Sequence, residues 1–172
     1  MATAVREALA KARRSAVHLE MRDSYMRDDP AFISWQGGHR EDPEDRESWW
    51  RPWLDVVAET TGRGVSMRRA RVVSEPVSDY IQYEYDGTFT NVAAGEQVRW
   101  LPRSTARDLL LPALDCWVVD SETLILHHFS GDGQWAGSGM EVCTDPALVE
   151  LYARAFESVW LRAVPHSEYR PT

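Results

Sequence analysis

The chain has 172 residues, 44% of them hydrophobic and 27% charged, with a net charge of −8. This balance describes one globular domain with a core of its own and excludes a disordered chain or a disulfide-dependent mini-protein. The acidic excess opposes a phosphate backbone, so direct nucleic-acid binding is not expected. Cys116 and Cys143 lack redox or metal-motif spacing and read as core residues.

Val5, Leu9, Ala12, Ala16 and Leu19 recur at helical spacing, which predicts an amphipathic helix over residues 1–20 with Arg6, Lys11, Arg13 and Arg14 on its polar faces. Charges run through this segment, so neither a signal peptide nor a membrane span is expected and a cytoplasmic location follows. Residues 39–47 contain Pro43, follow Gly37-Gly38, and read as an exposed acidic loop. Ser48 offers an N-cap for a helix to about Thr61 that tolerates Pro52 in its first turn. Trp49, Trp50 and Trp53 give that helix a large apolar surface to bury.

"GVSMRRARVV" predicts a strand over Val65–Val73, with a change of buried face or a bulge near Arg68-Arg69. "YIQYEYDG" has the propensity of a hairpin. If the strands around Val72 and Val98 lie parallel in one sheet, however, the connection between them must be a crossover helix. Tyr80 to Thr90 is therefore assigned as helix, stopped by Gly95. "EQVRWL" predicts the next strand and "STARDLLL" a short helix, while "CWVVD" and "TLILHHF" predict a hairpin. "SGDGQWAGSG" reads as a connection between strands, since it lacks a phosphate-loop pattern. Asp145 and Pro146 begin a closing helix whose stripe includes Leu148, Tyr152, Phe156, Val159 and Trp160. The expected fold is one α/β or α+β domain, a mixed β-sheet packed with helices, its core over residues 64–165.

The segments "LEMRDSY", "FISWQGG", "VVSEPVSDY", "NVAAGEQVRWLPR", "LDCWVVD" and "FESVWLRAVPHSEY" resemble an actinobacterial domain family of unknown function, commonly encoded beside developmental helix-turn-helix regulators of the WhiJ kind. That resemblance implies a regulator protein as partner. The order of elements from "GVSMRRARVV" to "FESVWLRA" also resembles half of a phospholipase D-like domain. Enzymes of that kind use a His and a Lys two positions apart, whereas the only lysine here is Lys11. The resemblance therefore implies the architecture without the phosphodiesterase chemistry.

No cofactor is expected, and no metal, because His18, His39, His166 and the cysteines do not converge at ligand spacing. No serine or cysteine stands in a nucleophile motif. The polar set Asp79, Tyr80, Glu84, Asn91, Glu96 and Arg99 reads either as a site for a small polar ligand or as a buried structural network. Trp35 and Trp117 are candidate pocket walls, and His128 is the candidate site histidine. The leading expectation is a non-enzymatic accessory or regulatory module, acting with a helix-turn-helix regulator through protein contact or ligand sensing and steered by the acidic loop and the basic first helix. The alternative is a small-molecule enzyme using His128 with Asp79 or Glu84.

Overall fold

In the computed structural model, which describes residues 3–172, the chain runs α1 (Thr3–Lys11), β1 (Ser15–Glu20), α2 (Pro30–Gln36), α3 (Arg46–Trp49), α4 (Pro52–Gly62), β2 (Ser66–Val73), α5 (Asp79–Ala93), β3 (Gln97–Pro102), a 3-10 turn (Arg103–Ala106), β4 (Cys116–Val119), β5 (Thr123–Phe129), β6 (Trp135–Cys143), α6 (Pro146–Trp160) and β7 (Val164–Pro165). The seven strands form one mixed sheet in the order β6-β5-β4-β1-β2-β3-β7, with β1, β2 and β3 mutually parallel and every other pairing antiparallel. Helix α5 is the crossover between the parallel neighbours β2 and β3, as the topological requirement predicts. Ser78 caps it by accepting from the Ile81 amide at 3.1 Å. Gly95 ends it at φ 101°. A Cβ there would lie 2.7 Å from Thr61 Oγ1, so only glycine fits.

Alternation sorts the strand residues onto two faces. Val17, Leu19, Ala70, Val72, Leu101, Val118 and Leu124 meet Phe156, Val159 and the rest of the α6 stripe. On the other face Ala16, Met67, Trp117, Val119 and Ile125 pack under α1 and α4, and Val98 and Trp100 pack near Ile81 of α5.

Several expectations are corrected. The helix expected over 1–20 stops at Lys11, and its first two positions lie outside the described residues. The segment Ser15–Glu20 is instead the central strand β1, so the core starts well before residue 64. The turn is fixed by Asp120, whose carboxylate accepts from the amides of Arg13, Arg14 and Ser15 at 2.8–2.9 Å. Strand β2 is in continuous register with both neighbours and has no bulge, because it is buried on both faces. Pro52 opens α4 as its first residue, which separates α3 from it. The segment "STARDLLL" makes only the 3-10 turn. The glycine-rich segment turns at Gly131–Gly133 and then supplies the edge strand β6.

Candidate functional site

Beneath α5 the sheet presents charge instead of carbon. The parallel register sets His18 opposite Arg69 and Glu20 opposite Arg71, and all four are buried. Glu20 accepts from Arg69 Nη1 at 3.0 Å and from Arg71 Nε at 2.6 Å. Arg69 also donates to both oxygens of Glu96, at 2.9 and 3.3 Å, and Asn91 Nδ2 donates to Glu96 at 2.7 Å. Arg71 reaches the Thr88 hydroxyl at 2.7 Å. Glu84 Oε2 lies 3.2 Å from Arg71 Nε without the alignment of a hydrogen bond. Two guanidinium groups are thus matched by Glu20 and Glu96, and Glu84 stands as a third carboxyl beside them.

The electrostatics follow from that count. Burial would raise the Glu20 carboxyl, but Arg69 and Arg71 overcome it and hold Glu20 well below the usual carboxylate range. For Glu84 burial wins over Arg71, and its carboxyl rises to about 7. Burial likewise lifts Asp115 to about 6 while Tyr25 donates to it at 2.5 Å. His127 falls to about 4, and His18 falls well below its ordinary value, both through burial.

An open cavity of about 300 Å³ lies over Arg71 and Glu84, walled by Trp35 of α2 and by Tyr83, Thr90 and Asn91 of α5. The Trp35 indole donates to Asp86 at 2.9 Å and carries the Arg40 guanidinium 4.2 Å from its ring centre. Arg51 enters from the other side. Among the described residues its guanidinium bonds only the Thr90 hydroxyl, at 3.4 Å.

Of the residues singled out from sequence, Trp35, Glu84 and Asn91 line this cavity. Glu96 is buried just below, preceding β3. Tyr80 is turned away from the cavity, into an aromatic cluster with Tyr25 and Phe32. Trp117 lies deeper, stacked on His18 with ring centres 4.3 Å apart. Three do not belong. Asp79 is at the exposed start of α5, paired with Arg27 at 2.7 Å. Arg99 points to the α6 face, 4.3 Å from the Trp160 ring centre. His128 bonds Glu141 of β6 at 3.0 Å on the face opposite Glu84, so it meets neither carboxylate expected to serve it. The residues missed were His18, Glu20, Arg69, Arg71, Asp115 and His127. The signal for them was the pairs of polar residues two apart inside apolar strands, "HLE" and "RAR".

Likeness to solved structures gives the class of this architecture: a phospholipase D-like fold. A phospholipase D family member, Nuc from Salmonella typhimurium, matches with TM-score 0.54 and 13% identity over 97% of this chain and 89% of that one. NucT from Helicobacter pylori matches with TM-score 0.53 and 10% identity over 94% and 88%. The archaeal chromatin protein TrmBL2, whose structure shows a novel mode of DNA binding, matches with TM-score 0.52 and 14% identity over 94% of this chain, which spans about half (49%) of that protein. At these identities the likeness is one of fold. Among curated protein sequences nothing matches. The chain belongs to the family described as domain of unknown function DUF6879, whose model matches residues 3–171. Among the described residues no helix is long and apolar enough to cross a membrane.

Proposed function

We propose that the domain is a non-catalytic, cytoplasmic ligand-sensing module that works with a helix-turn-helix regulator, the partner its sequence resemblance to an actinobacterial family implies. The observation that supports it is the cavity over Arg71 and Glu84. It combines aromatic walls at Trp35 and Tyr83 with the Arg51 guanidinium, which makes no ion pair among the described residues, and its floor belongs to the network joining β1, β2 and α5. Those features suit a small polar ligand with one planar face and one anionic or carbonyl group. A ligand there touches α5 and the sheet together, which gives binding a route to a partner surface. The occurrence of this fold over about half of a DNA-binding chromatin protein is compatible with attachment to a regulator.

The test has two stages. Thermal-shift and calorimetric titration of a panel of small polar metabolites should identify a ligand whose affinity falls about tenfold or more in Arg51→Ala and Trp35→Ala. The regulator is then titrated with and without that ligand, at low and high salt, and the ligand should change its affinity. A ligand that binds equally well to both variants, or that leaves regulator binding unchanged, would sink the sensing reading.

A further inference from the structure

Glu84 forms part of two cavities. Behind it, on the side of β1, β5 and β6, lies an inner chamber of about 140 Å³ that is partly open to solvent. Its polar wall is unusual for a protein interior. His18 and His127 are each only 6% exposed, yet both ring nitrogens of His18 and Nε2 of His127 are buried without a hydrogen-bond partner in the protein, as is Glu84 Oε2. Buried polar groups are normally paired, and leaving one unpaired forfeits its hydration without return. With the Trp135 indole nitrogen, five such atoms belong to residues around one chamber, more polar capacity than the protein's own groups satisfy there.

The rest of the wall says what. Tyr25, Tyr80, Phe129 and Trp135 turn aromatic surface to the chamber, with the Phe129 and Trp135 ring centres 4.3 Å apart and Tyr25 5.2 Å from Phe129. Each imidazole, kept neutral, carries a lone pair on one ring nitrogen and an N–H on the other, and the Trp135 indole adds a second kind of N–H, so a ligand with a hydroxyl beside its charge is also accommodated. The surrounding charges are already balanced, Arg69 and Arg71 by Glu20 and Glu96. An ionised Glu84 is therefore an anion in excess, and a further anion would meet Glu84, Glu20 and Asp115 together. Aromatic faces, nitrogen lone pairs and a surplus carboxyl are the recognition chemistry of a small cation.

We infer that the inner chamber is a binding site for a small organic ammonium ion, held by Glu84 and the histidines and flanked by the four aromatic rings. This goes beyond the sensing reading, since it concerns the other side of Glu84 and survives even if the outer cavity binds nothing. No covalent step is involved. Because burial holds the Glu84 proton up to about 7, an arriving cation at about pH 6 displaces that proton, and binding is accompanied by proton release. The groups facing Glu84 are Arg71, Arg69, Glu20 and Asp115 from the strands and strand ends and Tyr80 from its own helix.

The experiment is calorimetry of the full chain with ethylammonium and ethanolamine, beside acetate and inorganic phosphate, at about pH 6 in two buffers of different ionisation enthalpy. The ammonium probes should bind saturably with proton release and the anions should not bind. Glu84→Gln should weaken the ammonium probes about tenfold or more and abolish the proton release, and Trp135→Ala should weaken them several-fold. His128→Ala, on the opposite face of β5, should leave them unchanged. Circular dichroism and a melt establish that each variant is folded, and His127→Gln serves as a second chamber variant if Glu84→Gln is not. Overturning results are no saturable ammonium binding, anions binding as well as ammonium, or undiminished binding in a folded chamber variant. A loss in Arg51→Ala as large as that in Glu84→Gln would move the cation to the outer cavity and end the inference, whereas failure of the metabolite panel alone would not touch it.

Discussion

The same strands build two chemically opposite faces. Under α6, β1 and β2 contribute Val17, Leu19, Ala70 and Val72 to an apolar layer with Phe156 fully buried. One residue out of phase, they contribute His18, Glu20, Arg69 and Arg71 to a buried polar layer under α5. Period-two alternation lets a strand serve both layers without compromise. The apolar face draws its stability from area and close packing, which are non-directional. The polar face is stable only while each charge keeps its partner, because desolvation offsets much of the attraction between the charges. Such an arrangement makes a poor source of stability and a good place for a site.

The largest effect is expected on the apolar face. Phe156→Ala removes a fully buried ring from the centre of the α6 stripe and should cost about 4–5 kcal/mol in a urea melt. A loss under about 1 kcal/mol would mean that α6 is not packed as described. On the polar face, Arg69→Met should cost about 3 kcal/mol, because Glu96 keeps only Asn91 while Glu20 retains Arg71. The two faces then part company in the double variant. Adding Glu96→Leu to Arg69→Met removes the stranded charge and should recover part of the loss, whereas a second truncation under α6 only deepens it. If the double variant were less stable than Arg69→Met, the pairing would not be what governs this face.

The apolar face was largely legible in the sequence. The capped α6 stripe and the hairpin of β4 and β5 stand out as local periodicities, and α5 followed from topology against its own hairpin propensity. The central strand did not. Ala16 and Leu19 continue the alternating four- and three-residue spacing of Val5, Leu9 and Ala12, so β1 is hidden in an apparent helix. That error also concealed His18 and Glu20 and left Arg69 and Arg71 without visible partners. Arg68-Arg69 was then read as a break in the buried pattern, when both faces of β2 are buried. From α5 and its exit, Glu84, Asn91 and Glu96 were found, since they lie close in sequence. The residues that complete them come from β1, β2, β5 and the position just before β4, and pairing across so many residues leaves no trace in local spacing.

The smallest predicted effect separates the faces by pH. Glu84 titrates at about 7 in the folded chain, raised by burial from an ordinary value near 4.5. Between those two values the folded chain keeps a proton that the unfolded chain releases. Glu84 therefore contributes its full stability below about pH 4.5, and that contribution is lost as pH rises through about 7. Asp115, raised to about 6, acts in the same sense. His18 and His127 act oppositely: their folded values are lowered, so they make stability rise with pH up to about 6.5. These opposed contributions make the net slope for the native protein a poor reporter of Glu84. The difference between Glu84→Gln and the native protein is a better one, because the histidines drop out of it and Asp115 enters only through its charge on Glu84. Relative to its standing at about pH 4.5, the variant should gain on the order of 2 kcal/mol over the native protein by about pH 8, measured by urea melts across the range. A difference that stays flat would place the Glu84 carboxyl in contact with water and would detach it from both cavities, while on the apolar face, where burial pushes the Cys116 thiol and the Tyr152 hydroxyl up beyond this range, Val159→Ala removes no titrating group and should run parallel to the native protein across it.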